Sequence, residues 1–145
     1  MPDHATYLDN ASTSWPKPPG VARAMLDLLE QGSATPGRGA YTMAVRNGRT
    51  ILALRHRLAR LIGAPGPDHI ILTSGATDAL NIAIFGLFGE PPDAAPPRVI
   101  TTVLEHNSVR RPLAALRDRG HIELIVIPAD AEGLIDETAL LDAVD

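Results

Sequence analysis

Apolar residues recur along this chain with two different periods, and the change from one to the other organises it. In PPGVARAMLDLLEQG, Val21, Met25, Leu28 and Leu29 fall on one helical face, with prolines ahead of them and Gly32 behind. Proline at the start and glycine past the end is the asymmetry of a helix. After a loop, SATPGRGAY, the segment from about Thr42 to Ile62 places Ile51, Leu54, Leu58, Leu61 and Ile62 on one face, and Gly63 supplies the stop. Its other face is rich in arginine and is expected to be wet. Beyond it the period shortens. HIILT (69–73), RVITTV (98–103) and HIELIVI (121–127) are β-branched or apolar runs of strand length, separated by TDALNIAIFGLF and SVRRPLAALRDR at helical spacing.

This β-α-β-α-β order predicts an α/β fold with mainly parallel strands, joined by crossovers whose helices cover the sheet, preceded by N-terminal helices. The expected division is an N-terminal segment, 1–66, and the start of the α/β domain, 67–145. The proline-rich GEPPDAAPP (89–97) reads as a surface loop and not a boundary, because the signals on either side belong to one unit. No internal repeat is visible. Near the end, Asp136 is placed to cap a helix beginning at Glu137.

Composition narrows the function classes. With 145 residues, 45% hydrophobic and 21% charged, the chain is long enough for one packed domain. A net charge of -4, with arginines scattered among acids, offers no basic surface for a nucleic acid. No apolar run approaches the roughly 20 residues of a membrane span, and MPDHATYLDN lacks the basic-then-apolar order of a secretion signal, so the expected location is the cytoplasm. Cysteine is absent, which removes disulfides, thiolate metal sites and thiol nucleophiles from these residues. Lys17 is the single lysine.

The chemistry concentrates where the second periodicity begins. LTSGATDALNIAI (72–84) runs from a strand pattern through small polar residues into a helix, and ligands of parallel sheets bind beyond the C-terminal strand ends. At a helix start the first amides lack intrahelical partners and the peptide dipoles leave partial positive charge, so a phosphate satisfies both. Gly75 is expected to let the backbone turn tightly beside an oxygen, and the hydroxyls of Ser74 and Thr77 to add donors. The same residues would serve equally as an ordinary helix cap. There is no Walker motif, and GRGAYT (37–42) lacks both the third glycine and the preceding strand of a dinucleotide fingerprint. The next strand ends in TTVLEHNSVRRPL, so His106 sits past the same sheet edge, one crossover from the phosphate turn. Polar groups at the ends of successive parallel strands are how such sites are built. An imidazole there could stack on a flat heteroaromatic ring whose phosphate is held at Ala76 and Thr77.

Four blocks in order, YLDNASTSWPKPPGV, TPGRGAYTMA, ILTSGATDALNIAI and LEHNSVRRPL, resemble the class-V aminotransferase family of pyridoxal-phosphate enzymes, nearest to cysteine desulfurases and selenocysteine lyases. The resemblance spans essentially the whole chain and implies part of the large domain of a fold-type I pyridoxal-phosphate-dependent transferase. By it, Ala76 and Thr77 match the pair that holds the cofactor phosphate, after Gly75, and His106 matches the histidine over the pyridine ring that relays protons. Asn10 and Ala11 would line the substrate side, and Arg38 would approach across a dimer interface. For these three a turn, a packing contact and a surface guanidinium are equally open readings. Asn81 also matches a family asparagine, though on a helix it can bond locally.

Chemistry in this family needs a Schiff-base lysine, an acid paired with the pyridine nitrogen, an arginine for the substrate carboxylate and, in desulfurases, a cysteine that takes the sulfur. The family pattern puts all of them downstream of the matched blocks. Lys17, flanked by Pro16 and Pro18 before the first helix, does not substitute. The expectation is therefore the N-terminal portion of a longer or split enzyme, inactive alone, with exposed apolar faces and poor solubility. Three functions stand at this point. One is a desulfurase or selenocysteine lyase, homodimeric in full length and paired with a sulfur-acceptor protein. Another is a transaminase or amino-acid lyase of the same family, and the third a non-catalytic phosphate-binding or partner-pairing piece. No metal site is expected.

Overall fold

The computed structural model describes residues 6–32 and 34–144. The first five residues of the stretch read above for a secretion signal, Ser33 at the start of the expected loop, and Asp145 lie outside them. The chain divides into two compact units, Met1–Ile71 and Leu72–Asp145.

The first unit contains α1 (Val21–Glu30), α2 (Thr42–Ile62) and a single 3-10 turn, Pro67–His69. Both helices occur at the predicted positions, and α2 ends at Gly63 in the left-handed conformation, φ 69°, which glycine adopts without a Cβ clash. The face that α2 buries differs from the one expected. Ala44, Asn47 and Ala59 are buried and Ile51, Arg55 and Leu58 half-buried, whereas Leu54, Leu61 and Ile62 are exposed. The packed stripe is set by what it touches: Arg46 donates to the carbonyls of Gly32 (2.9 Å) and Gln31 (3.4 Å), and Asn47 Nδ2 to Ala34 O at 2.9 Å. These bonds hold the end of α1 and the following loop onto α2. At its N-terminal end the packed side of α2 is thus held by polar side chains, which a count of apolar spacing does not register, while its other end meets the 3-10 turn.

In the second unit, α3 (Ala76–Phe88), β1 (Arg98–Thr102), α4 (Asn107–Asp118), β2 (Glu123–Ile127) and α5 (Glu137–Val144) follow in order. The strands pair in parallel, Arg98 opposite Glu123 through Thr102 opposite Ile127, with α4 as the crossover. The α/β reading and parallel pairing thus hold for β1 and β2. The expected first strand does not form. Residues 70–73 carry no ladder, and the 3-10 turn consumes His69. Ile70 is extended, φ -107° and ψ 114°, but a strand is made by its neighbour's hydrogen bonds, and the described residues supply no neighbour.

The core of this unit gathers Leu113, Leu116 and Ile122, with Ile84, Phe88, Val99, Val109 and Leu124 packed against them. Asn81, Ile84 and Phe88 repeat at helical spacing on the half-buried side of α3. The other side of α3 is apolar too and lies open, with Ile82 and Leu87 exposed. His121 Nδ1 meets Phe88 O at 3.1 Å; a carbonyl only accepts, so this nitrogen carries the proton. Asp136 caps α5 as its sequence position suggests, accepting from Ala139 N at 2.9 Å. Asp136→Ala is expected to cost about 1 kcal/mol, read as a lower midpoint in thermal unfolding followed by circular dichroism; an unchanged midpoint would mean that the end of α5 frays regardless.

Candidate functional site

Helix α3 starts without a side-chain cap. Its first external bond runs from Ala79 N to Gly75 O at 3.1 Å, and among the described residues the amides of Ala76 and Thr77 donate to no protein acceptor. Two free N–H groups at the positive end of a 13-residue helix form an anion-binding surface. Two expectations need correction. Gly75 has φ 172° and ψ 177°, extended backbone open to any residue, so the turn does not require glycine. A Cβ at this position would meet nothing within 4 Å, so the space beside the turn is open. Ser74 is not an available donor either: its hydroxyl is hydrogen-bonded to the Asp78 carboxylate. Asp78 suits the helix dipole but opposes a bound anion, and the bond from Ser74 takes up part of its charge. Thr77 is exposed and keeps the hydroxyl expected of it.

His106 is the N-cap of α4, a role its residue type does not advertise. Its Nδ1 accepts from Ser108 N at 3.1 Å and lies 2.9 Å from Ser108 Oγ. A backbone amide can only donate, so Nδ1 holds the lone pair and the neutral ring keeps its proton on Nε2. The exposed imidazole and Thr77 line one cleft of about 400 Å³, together with Asn81, Asn107, Ser108 and Arg111. Helical spacing explains this lining. Thr77 and Asn81 are one turn apart on α3, and Asn107 and Arg111 one turn apart on α4, so two adjacent turns face each other. Arg111 brings a cation to the cleft that Thr77, the second residue of α3, also lines, a combination suited to a phosphate ester. A second hollow, of about 320 Å³ between the strands and the Arg110–Arg117 side of α4, contains none of the expected residues and no carboxylate or imidazole.

The remaining candidates lie in the first unit. Asn10 sits in an exposed turn, its Oδ1 accepting from Trp15 N at 3.0 Å and its Nδ2 donating to Tyr7 O at 3.5 Å. Ala11 is exposed in the same turn, and Arg38 is exposed between Gly37 and Gly39, both at positive φ. The structure thus gathers Thr77, Asn81 and His106 within one unit, with Gly75 and Ala76 just ahead of Thr77. Sequence reasoning missed Arg111 and Ser108. The signal for Arg111 was present in its four-residue spacing from Asn107.

A family model for class-V aminotransferases matches residues 6–145. The chain belongs to the class-V aminotransferase family. This family member is 37% identical over 143 residues to a probable cysteine desulfurase of Methanothermobacter thermautotrophicus, covering 99% of this chain and 34% of that relative. A selenocysteine lyase of Bos taurus is 29% identical over 155 residues, covering 95% and 35%. Among solved structures, the apo cysteine desulfurase of Thermococcus onnurineus NA1 matches with a TM-score of 0.80 at 26% identity, over 95% of this chain and 34% of that one. The fold is that of fold-type I enzymes, and the chain spans about a third of the length of the curated relatives it matches. Class-V aminotransferases are pyridoxal-phosphate enzymes. The residues here fit the phosphate end of that group: two free amides open α3, the space beside Gly75 is open, and Arg111 lines the same cleft as Thr77.

Proposed function

We propose that this chain is the cofactor-anchoring portion of a pyridoxal-phosphate-dependent cysteine desulfurase, which takes sulfur from L-cysteine and leaves alanine and a persulfide on the enzyme. L-selenocysteine is the related substrate that a lyase of the same family suggests. The observation that carries the reading is the pair of unbonded amides at Ala76 and Thr77 beside the cleft rimmed by His106.

In this assignment the two amides and the Thr77 hydroxyl bind the phosphate, and Arg111, in the same cleft as Thr77, adds attraction. His106, which lines the cleft, holds its proton at Nε2, in a tautomer fixed by Ser108. When bound, the cofactor supplies an electron sink that weakens bonds at the substrate's α-carbon. Asn10, Ala11 and Arg38 are assigned to the substrate side, Arg38 reaching the site of a second copy in a homodimer. The Schiff-base lysine, the acid at the pyridine nitrogen and the sulfur-accepting cysteine are assigned to residues other than these 145. A cytoplasmic setting and a sulfur-acceptor protein complete the proposal.

Titrating the chain with pyridoxal phosphate tests the reading. A saturable absorbance change of the added cofactor, reversed by inorganic phosphate and lost on dialysis, is the expected outcome. The chain alone should release no alanine from L-cysteine. Absence of saturable binding would sink the phosphate assignment, and a visible band that survives dialysis would place the Schiff-base lysine within these residues.

A further inference from the structure

Pro112 lies inside α4 and is buried. Proline has no N–H, so the carbonyl four residues earlier, that of Ser108, loses its helix partner. Ser108 is itself buried, and a buried carbonyl without a donor is costly. The missing donor comes from the other helix. Asn81 Nδ2 is 3.4 Å from Ser108 O and 2.8 Å from Thr77 O. One carboxamide therefore bonds the carbonyl of a phosphate-turn residue and the carbonyl of the residue whose amide fixes His106.

We infer that Asn81 is a positioning residue: by occupying the carbonyl that Pro112 leaves open, it holds the first turn of α4, and with it His106, in register with the phosphate turn of α3. What the cleft holds rests on the proposed function; the register does not. Inorganic phosphate engages the α3 start, whereas pyridoxal phosphate needs that start and His106 at the correct separation.

Asn81→Leu keeps bulk and removes the donor, and Asn81→Ala serves as a second variant should leucine disturb packing. Either should weaken pyridoxal phosphate binding about five- to tenfold while inorganic phosphate affinity stays within about twofold. Adding Pro112→Ala restores an N–H for Ser108 O and should return pyridoxal phosphate affinity close to the parent value. Nitrogen-15 shifts of the His106 ring, recorded without cofactor, should move in the Asn81 variants and return in the double variant. Equal loss of both ligands, or no recovery with Pro112→Ala, would overturn the inference and leave Asn81 a packing residue. If neither ligand binds the parent chain, the cofactor reading fails by itself, and the His106 shifts still decide: unmoved in Asn81→Leu and Asn81→Ala, they overturn the positioning role.

Discussion

Replacing Ala76 with proline should weaken pyridoxal phosphate binding by about ten- to a hundredfold and leave the thermal midpoint of the chain almost unchanged. Ala76 is the first residue of α3, the position where proline's fixed φ suits a helix and its missing N–H removes no helix bond. Gly75 is already extended, as the residue before a proline prefers. The substitution thus deletes one donor to a dianion, an interaction in the class worth about 1.5–3 kcal/mol, with little else disturbed. Ala76→Gly, which keeps the N–H, is the control and should bind nearly as the parent does. Titration beside a thermal melt checks the pair. Equal affinities for the proline and glycine variants would mean that this amide does not face the phosphate.

Leu116→Ala should remove the cooperative melt of the second unit or lower its midpoint by many degrees. Leu116 is fully buried and stands at the centre of the cluster with Leu113 and Ile122. Truncating such a leucine costs about 2–5 kcal/mol, lost transfer energy plus the cavity left behind, against about 5–15 kcal/mol for a typical domain. Few other side chains in this unit are as buried, so little remains to absorb the loss. Leu141, 66% exposed on α5, provides the comparison: Leu141→Ala should move stability by no more than about 0.5 kcal/mol. A midpoint for Leu116→Ala within a degree of the parent would show that the cluster does not carry the fold of this unit.

What could be read in advance followed from local physics. Gly63 and Asp136 ended and began helices because each acts within a turn of its own position, and β1 and β2 were visible as β-branched runs. The segment 69–73 misled for a reason of the same kind: Ile70, Ile71 and Leu72 have the composition of a strand, but pairing is a property of two segments. On α2, Arg46 and Asn47 hold part of the packed face by bonding backbone carbonyls on another segment, which apolar spacing does not register. The free amides at Ala76 and Thr77 were expected from the small-residue turn, while the engagement of Ser74 by Asp78 was not, although the two are one helical turn apart. Asn81, Ser108 and Pro112 form the least legible feature, because their meaning depends on a contact spanning 27 residues.

The parallel ladder of β1 and β2 closes around a single crossover, and its central leucines lie on that crossover. Closing a short loop costs less chain entropy than closing a long one, and contacts near in sequence form fastest. The stretch from Arg98 to Ile127 therefore holds within itself the contacts it needs to collapse early. Residues 70–73 precede that stretch in the chain and carry no ladder bond, so a strand-like composition alone leaves them outside the sheet that locality builds.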